Sequence, residues 1–179
     1  MRRALALLLC STPALLADGA VARSFIELRV ETPQGALQSL VDPKYGFGVG
    51  CMCDLGGGPG YIRLRLDGDT FTGVNGNGPV EGLGAGVQVV YEFDEWMGLH
   101  PFVVGGPCFQ HWSIGQDNQP QADPSASDLP TWNSNKVAFR AEAGIGVTRR
   151  TRLSLGVLTG PLGNGQTATS VFLAFAYQM

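Results

Sequence analysis

A histidine and a serine two residues apart, His111 and Ser113, form the sharpest chemical pair in the chain. On an extended backbone such residues share a face, so an imidazole at 111 could take the proton of a hydroxyl at 113 and make it a nucleophile. A base of this kind needs a third group to orient it. Glu142, the acid on the following segment, falls far along the strand rather than beside the pair. With Trp112 turned outward, His111 would turn inward and act only as a hydrogen-bonding group. The chain therefore reads as non-enzymatic, and His111 and Ser113 are the residues on which an enzymatic alternative rests.

Other clusters carry less chemistry. Gly46-Phe47-Gly48-Val49-Gly50 and Gly82-Leu83-Gly84-Ala85-Gly86 have neither the spacing of a phosphate-cradling loop nor a helix behind them, and they read as spacers. Cys51 and Cys53 lie about 6.5 to 7 Å apart on one strand face, beyond disulfide range. Cys108 is distant and no histidines cluster, so zinc is not implied, and the three thiols read as small apolar residues. Asp117, Asp123 and Asp128 do not follow a calcium-loop spacing. No metal and no cofactor is expected.

The beginning of the chain predicts export. Arg2 and Arg3 precede a mostly apolar run, Ala4 to Leu16, and Ala20-Val21-Ala22 offers small residues at a cleavage site. The run is too short to span a bilayer as a helix, which takes about 20 residues. Leu9, not a small residue, precedes Cys10, which argues against lipid attachment there. Residues 1–22 read as a signal peptide and 23–179 as one domain. The signal carries a formal +1, so the whole-chain charge of −3 becomes −4 in the mature protein. A mildly acidic chain without a Lys/Arg cluster is a poor nucleic-acid binder.

Positioning these residues falls to strands. Twenty-six glycines and period-two alternation, with no sustained helical period, mark eight segments: 24–32, 44–55, 60–71, 80–94, 98–113, 136–149, 151–159 and 169–179. In the last, Val171, Leu173, Phe175, Tyr177 and Met179 oppose Ser170, Phe172, Ala174, Ala176 and Gln178. In the third, Ile62, Leu64 and Leu66 oppose Arg63, Arg65 and Asp67. Segment five is ambiguous, because Phe102, Val104 and Cys108 compete with Leu99, Val103 and Phe109 for the apolar face. Connections after segments two, four and six are tight, and those after one, three, five and seven are longer and polar. Outer-membrane barrels alternate in this way, with short periplasmic turns and long outer loops.

Polarity decides which barrel this is. A soluble barrel has an apolar interior and a charged exterior; here charges share a face with glycines. Within a narrow barrel, small residues leave room for Glu27, Arg29, Arg63, Arg65, Glu92, Arg140 and Glu142 to pair as a lumen network. Val171, Leu173, Phe175 and Tyr177 are then lipid-facing. Tyr45, Phe47, Trp112 and Trp132 fall near the outer rim, and Tyr91, Phe93, Trp96 and Tyr177 near the periplasmic one, as two interfacial belts.

On these patterns the chain resembles the small eight-stranded outer-membrane barrels of the OmpA/OmpX and opacity-protein kind. The segments Val137 to Val147 and Leu153 to Val157, with the turn at Arg149-Arg150-Thr151, resemble that superfamily's penultimate hairpin, and the terminal alternation resembles its closing strand. The resemblance implies an all-β, eight-stranded antiparallel transmembrane barrel in a bacterial outer membrane, a monomer in contact with outer-membrane lipid and lipopolysaccharide. Its role would be structural or interactive, through loop 114–135, whose prolines and acids suit exposed backbone. His111-Trp112-Ser113 also resembles the His-x-Ser element of lipid A deacylase barrels, which would make Ser113 a nucleophile and His111 its base. Ile114 and Gly115 stand where that family continues with Asn and a small residue. A small pore is the remaining alternative.

Overall fold

A computed structural model describes residues 22–73, 79–114, 134–163 and 166–179. The expected signal peptide lies outside the described residues except for Ala22, which opens the first strand. Eight strands follow: β1 (Ala22–Gly35), β2 (Val41–Leu55), β3 (Gly60–Gly73), β4 (Val80–Glu92), β5 (His100–Ile114), β6 (Ser134–Gly146), β7 (Thr151–Gly163) and β8 (Gln166–Gln178). Each pairs antiparallel with the next, and β1 pairs with β8 from Phe25↔Gln178 to Gly35↔Ala168, so the sheet closes into a barrel.

The alternation that defines each strand also sets its two faces. Leu173 is 60% exposed and Leu83 65%, whereas Arg29 and Arg65 are each 2% exposed. The barrel is apolar outside and charged inside, the polarity of a wall surrounded by hydrocarbon. In lipid no water satisfies the backbone, and closure leaves no strand edge unpaired. Val171, Phe175 and Tyr177 lie on the outside with Leu173. Segment five resolves with its even-numbered residues inward: Phe102, Val104 and Cys108 are buried, while Val103 and Phe109 face out.

One end of the barrel has tight turns. Gly56 (φ 129°) and Gly58 (φ 90°) turn β2 into β3, in backbone conformations that favour glycine. Met97 (φ 54°) and Gly98 (φ 79°) form a two-residue hairpin, with Trp96 and Leu99 exchanging backbone hydrogen bonds of 2.9 and 3.0 Å. Thr148 Oγ1 accepts from the Arg150 and Thr151 amides between β6 and β7. This is the periplasmic end. At the outer end a 3₁₀ turn, Ala36–Ser39, folds back over the barrel mouth and buries Leu37 completely.

Two expectations change here. The connection after segment seven is not a long loop. β7 and β8 stay paired as far as Gly163↔Gln166, helped by a Thr159–Thr169 hydroxyl pair at 3.0 Å, because the Thr- and Gly-rich sequence that reads as loop is equally at home in a hairpin. Trp112 is not a girdle residue. It is 4% exposed inside the outer mouth, its ring 6.2 Å from that of Phe71. The other aromatics, Tyr45, Phe47, Tyr91, Phe93, Trp96 and Tyr177, are exposed on the barrel's outside and its periplasmic turns, and Trp132 lies outside the described residues.

Arginine at Leu173, half-way along β8, should cost about 2 to 4 kcal/mol of folding free energy in phospholipid vesicles. Arginine at the exposed turn residue Met97 should stay within about 0.5 kcal/mol. Urea titrations of both variants check this, and equal costs would mean that Leu173 does not face lipid.

Candidate functional site

Two regions gather the polar side chains, the lumen and the outer rim. In the lumen the expected charges meet, and others join them. Arg29, from β1, is the hub. Its Nε donates to Glu31 Oε1 at 2.8 Å, its Nη1 to Glu27 Oε1 at 2.8 Å and to Asp67 Oδ1 at 2.7 Å, and its Nη2 to Asp69. Arg65 donates to Asp67 at 2.7 Å, to Glu142 at 3.0 Å, to Met52 Sδ at 3.1 Å and to Glu27. Arg140 donates to Glu142 at 2.6 Å and to Glu27 at 3.3 Å, and its guanidinium lies 4.0 Å from the Phe172 ring centre. Ser170, Ser154 and Gln110 supply further donors to Glu31, Glu142 and Asp69. A charge removed from water is tolerated when its partners and hydrogen bonds are complete, and here they are dense.

A second group lies toward the periplasm. Arg63 grips Asp54 with two hydrogen bonds, 2.7 and 3.1 Å, and Arg152 joins Asp54 to Glu92. Tyr61 donates to Glu92 Oε1 at 2.6 Å, and Arg23 reaches Glu92 at 3.7 Å. Carboxylates outnumber guanidiniums in the central group and guanidiniums outnumber carboxylates here, so the two layers partly offset each other.

Sequence reasoning placed Glu27, Arg29, Arg63, Arg65, Glu92, Arg140 and Glu142 in this network, and the structure brings all seven into it. It missed Glu31, Asp54, Asp67, Asp69 and Arg152. The first three share the polar period of β1, β2 and β3, and extending the face count to every charge on it would have found them.

Glycines make the room. A Cβ at Gly48 would stand 2.6 Å from Glu31 Oε1 and 2.7 Å from Arg29 Nε, and one at Gly50 would stand 3.0 Å from Arg29 Nη1. The GxGxG runs are therefore the floor under the guanidiniums. Above the charges, Leu37, Val41, Phe71, Val80, Trp112 and Leu158 fill the outer mouth; below them Phe25, Val90, Phe102 and Val104 pack among the second group. The central charges thus lie between two apolar clusters, and the second group is interleaved with the lower one and reaches the periplasmic end. Among the described residues the apolar cluster at the outer mouth and the paired charges beneath it occupy the lumen, which speaks against the pore alternative.

At the rim the inward turn of Trp112 sends His111 and Ser113 outward, the reverse of the orientation expected for a girdle Trp112. His111 faces Leu83 on β4 and Asn135 on β6, and Ser113 faces Glu81. His111 Nδ1 lies 2.7 Å from Asn135 Oδ1. An amide oxygen only accepts, so Nδ1 is the donor of this hydrogen bond. Among the described residues no hydrogen bond joins His111 to Ser113, and Glu142 is deep in the lumen. Cys51 and Cys53 face outward, half-buried, Cys108 is buried in the lumen, and all three are free thiols. Asp117, Asp123 and Asp128 lie outside the described residues, as does most of loop 114–135.

The sequence matches no protein-family model and no curated protein. Its structure is similar to that of Neisserial surface protein A (TM-score 0.62, 12% identity, 90% of this chain and 99% of that one). It is also similar to the outer membrane enzyme PagL (0.56, 13%, 86% and 98%) and to Ail, the attachment invasion locus protein of Yersinia pestis (0.55, 10%, 91% and 100%). At these identities the likeness establishes the fold, that of the small eight-stranded outer-membrane barrels.

Replacing Arg29 by Met should destabilise the barrel by about 3 to 5 kcal/mol, because Glu27, Glu31, Asp67 and Asp69 would stay buried without their shared partner. Equilibrium unfolding in urea checks it, and a loss below about 1 kcal/mol would show that the network does not depend on this hub.

Proposed function

We propose that the protein is a non-enzymatic barrel of the bacterial outer membrane whose task is to hold its outer loops, 114–135 above all, in position for contact with a surface ligand or with lipopolysaccharide. The filled lumen carries this reading. With an apolar cluster filling the outer mouth above a densely paired charge network, the interior is a structural core, and the outer rim is the part left free to act. Two of the similar structures are, by name, a surface protein and an attachment protein; those words belong to them and support a surface role here only by analogy of fold.

One observation favours a second reading. His111 and Ser113 share the outward face near the outer membrane boundary, and Asn135 holds the imidazole through its Nδ1. A base so oriented is what an outer-leaflet acyl hydrolase needs, with Ser113 as nucleophile and Asn135 in the orienting place.

Lipid A from cells expressing the protein should keep all its acyl chains by mass spectrometry, and planar bilayers should show no unit conductance. Deleting residues 116–131 should leave a heat-modifiable, folded barrel but weaken binding of the nanodisc-embedded protein to lipopolysaccharide or to extracellular matrix. Unchanged binding to both would remove the loop role. Loss of an acyl chain with the wild type, and its retention with Ser113→Ala, would establish the enzymatic reading instead.

A further inference from the structure

The periplasmic mouth of the barrel holds a polar cavity of about 380 Å³, separate from the central charge network and from the outer rim. Arg152, on the lumen side of β7, makes its floor. It is 8% exposed, and its guanidinium lies 4.5 Å from the Phe25 ring centre and 5.3 Å from that of Phe102. Its terminal nitrogens are held by Asp54 and Glu92. A guanidinium stacked and paired in this way is fixed in place before a ligand arrives.

Two further guanidiniums line the cavity with donors to spare. Arg23, at the start of β1, lies over the Tyr61 ring at 4.8 Å, and among the described residues its closest ionic partner is Glu92 at 3.7 Å. Glu92 is itself engaged by Tyr61 and Arg152. Arg149 is exposed on the β6–β7 turn and makes no ion pair among the described residues. On the same turn Thr148 Oγ1 accepts from the Arg150 and Thr151 amides at 3.1 and 3.0 Å, so its own hydrogen is left to donate into the cavity. Gln178 adds an amide from β8, where its backbone N–H donates to Arg150 O at 2.7 Å. Gly146 keeps the opposite wall open, since a Cβ there would stand 3.3 Å from His100 Cβ.

Charge at this mouth does not balance. Arg23, Arg63, Arg149 and Arg152 stand against Asp54 and Glu92, an excess of two positive charges between low-dielectric walls, which concentrate the field in the cleft. Asp94, Glu95 and Arg150 lie outside the lining, and Glu95 is 4.0 Å from His100.

We propose that the periplasmic mouth is a binding site for a dissolved phosphate monoester. A phosphate dianion matches the excess charge and presents three oxygens to donors that arrive from β1, from the β6–β7 turn and from β8, whereas a carboxylate brings one charge and two oxygens in a single plane. Arg23 and Arg149 grip the phosphate over the fixed Arg152, and Thr148 and Gln178 complete its hydrogen bonds. At about 380 Å³ the cavity falls within the range of small-ligand pockets, roughly 300 to 1,000 Å³, so an ester the size of a glycerol or sugar phosphate fits, with its organic group toward His100. The site opens to water at the end of the barrel and is independent of the outer loops and of His111.

Glycerol 3-phosphate is titrated calorimetrically into the protein in phosphatidylcholine nanodiscs, which leave both ends in water, at roughly 0.1 M salt, where charges more than about 10 Å apart are screened. Binding should saturate, and acetate should bind at least about ten-fold more weakly. Arg23→Gln and Arg149→Gln should each weaken binding of the ester about ten-fold, whereas Lys136→Gln, which removes an exposed cation at the outer end, should leave it unchanged. Should a variant not fold, the unaltered protein decides: glycerol 3-phosphate should slow the reaction of phenylglyoxal with Arg23 and Arg149, read by peptide mass spectrometry, and leave its reaction with Arg150 unaffected. No saturation below about 10 mM, equal binding of acetate, equal loss with Lys136→Gln, or equal protection of Arg150 would each overturn the site.

Discussion

Between β1 and β8 the ladder from Phe25 to Gly35 joins the two ends of the chain's sheet, and the remaining architecture depends on that closure. A strand in hydrocarbon has no water for its amides and carbonyls, so an open edge would leave a row of unsatisfied groups, each costing several kcal/mol. Eight strands satisfy the condition with the smallest common circumference, and a circle that small encloses only enough space for side chains. Closure thus creates a second problem, the filling of a narrow interior by the residues that do not face lipid.

The chain solves it with unequal side chains. Glycines at 48 and 50 remove volume under Arg29, and the guanidinium takes the space and bonds four carboxylates. A wholly apolar interior would leave the two faces of each strand alike, with no energetic reason to prefer one orientation over its inverse. A charged interior separates them, because the same residues turned into lipid would cost far more than in the lumen. The network is in this sense the selector of inside and outside, and the apolar layers at Phe71 and Trp112 and at Phe25 and Phe102 keep water from loosening it.

With the interior committed to structure, chemistry is left to the rim and the wall. At the rim the loops emerge next to His111, Ser113 and Asn135, residues facing the boundary between lipid and water. In the wall the ladder is interrupted at Pro107, which has no N–H to give, and its register shifts between Val41 and Gly46 and between Pro161 and Gly163. A proline in mid-strand of a closed barrel is costly, and Pro107 falls beside an unpartnered Gln88 and a groove in the lipid-facing surface.

Faces and class were legible in the sequence, because a period of two needs no partner to be read: Val171, Leu173, Phe175 and Tyr177 against Phe172, Ala174 and Ala176 announce a wall with lipid on one side. The sign of the barrel was legible too, since Arg63 and Arg65 share their faces with lumen carboxylates and glycines rather than with the strands' apolar residues. Segment five was not, because Phe102, Val104, Cys108 and Trp112 give it apolar residues on both faces, and only packing against Phe71 and the outer plug decides which side is inward. From that one decision follows the outward turn of His111 and Ser113. Partners were equally hidden: nothing in spacing says that Glu27 meets Arg140, 113 residues away, or that Asn135 meets His111. Such contacts arise from register across neighbouring strands and from closure across the lumen, and both belong to the folded barrel rather than to any segment of its sequence.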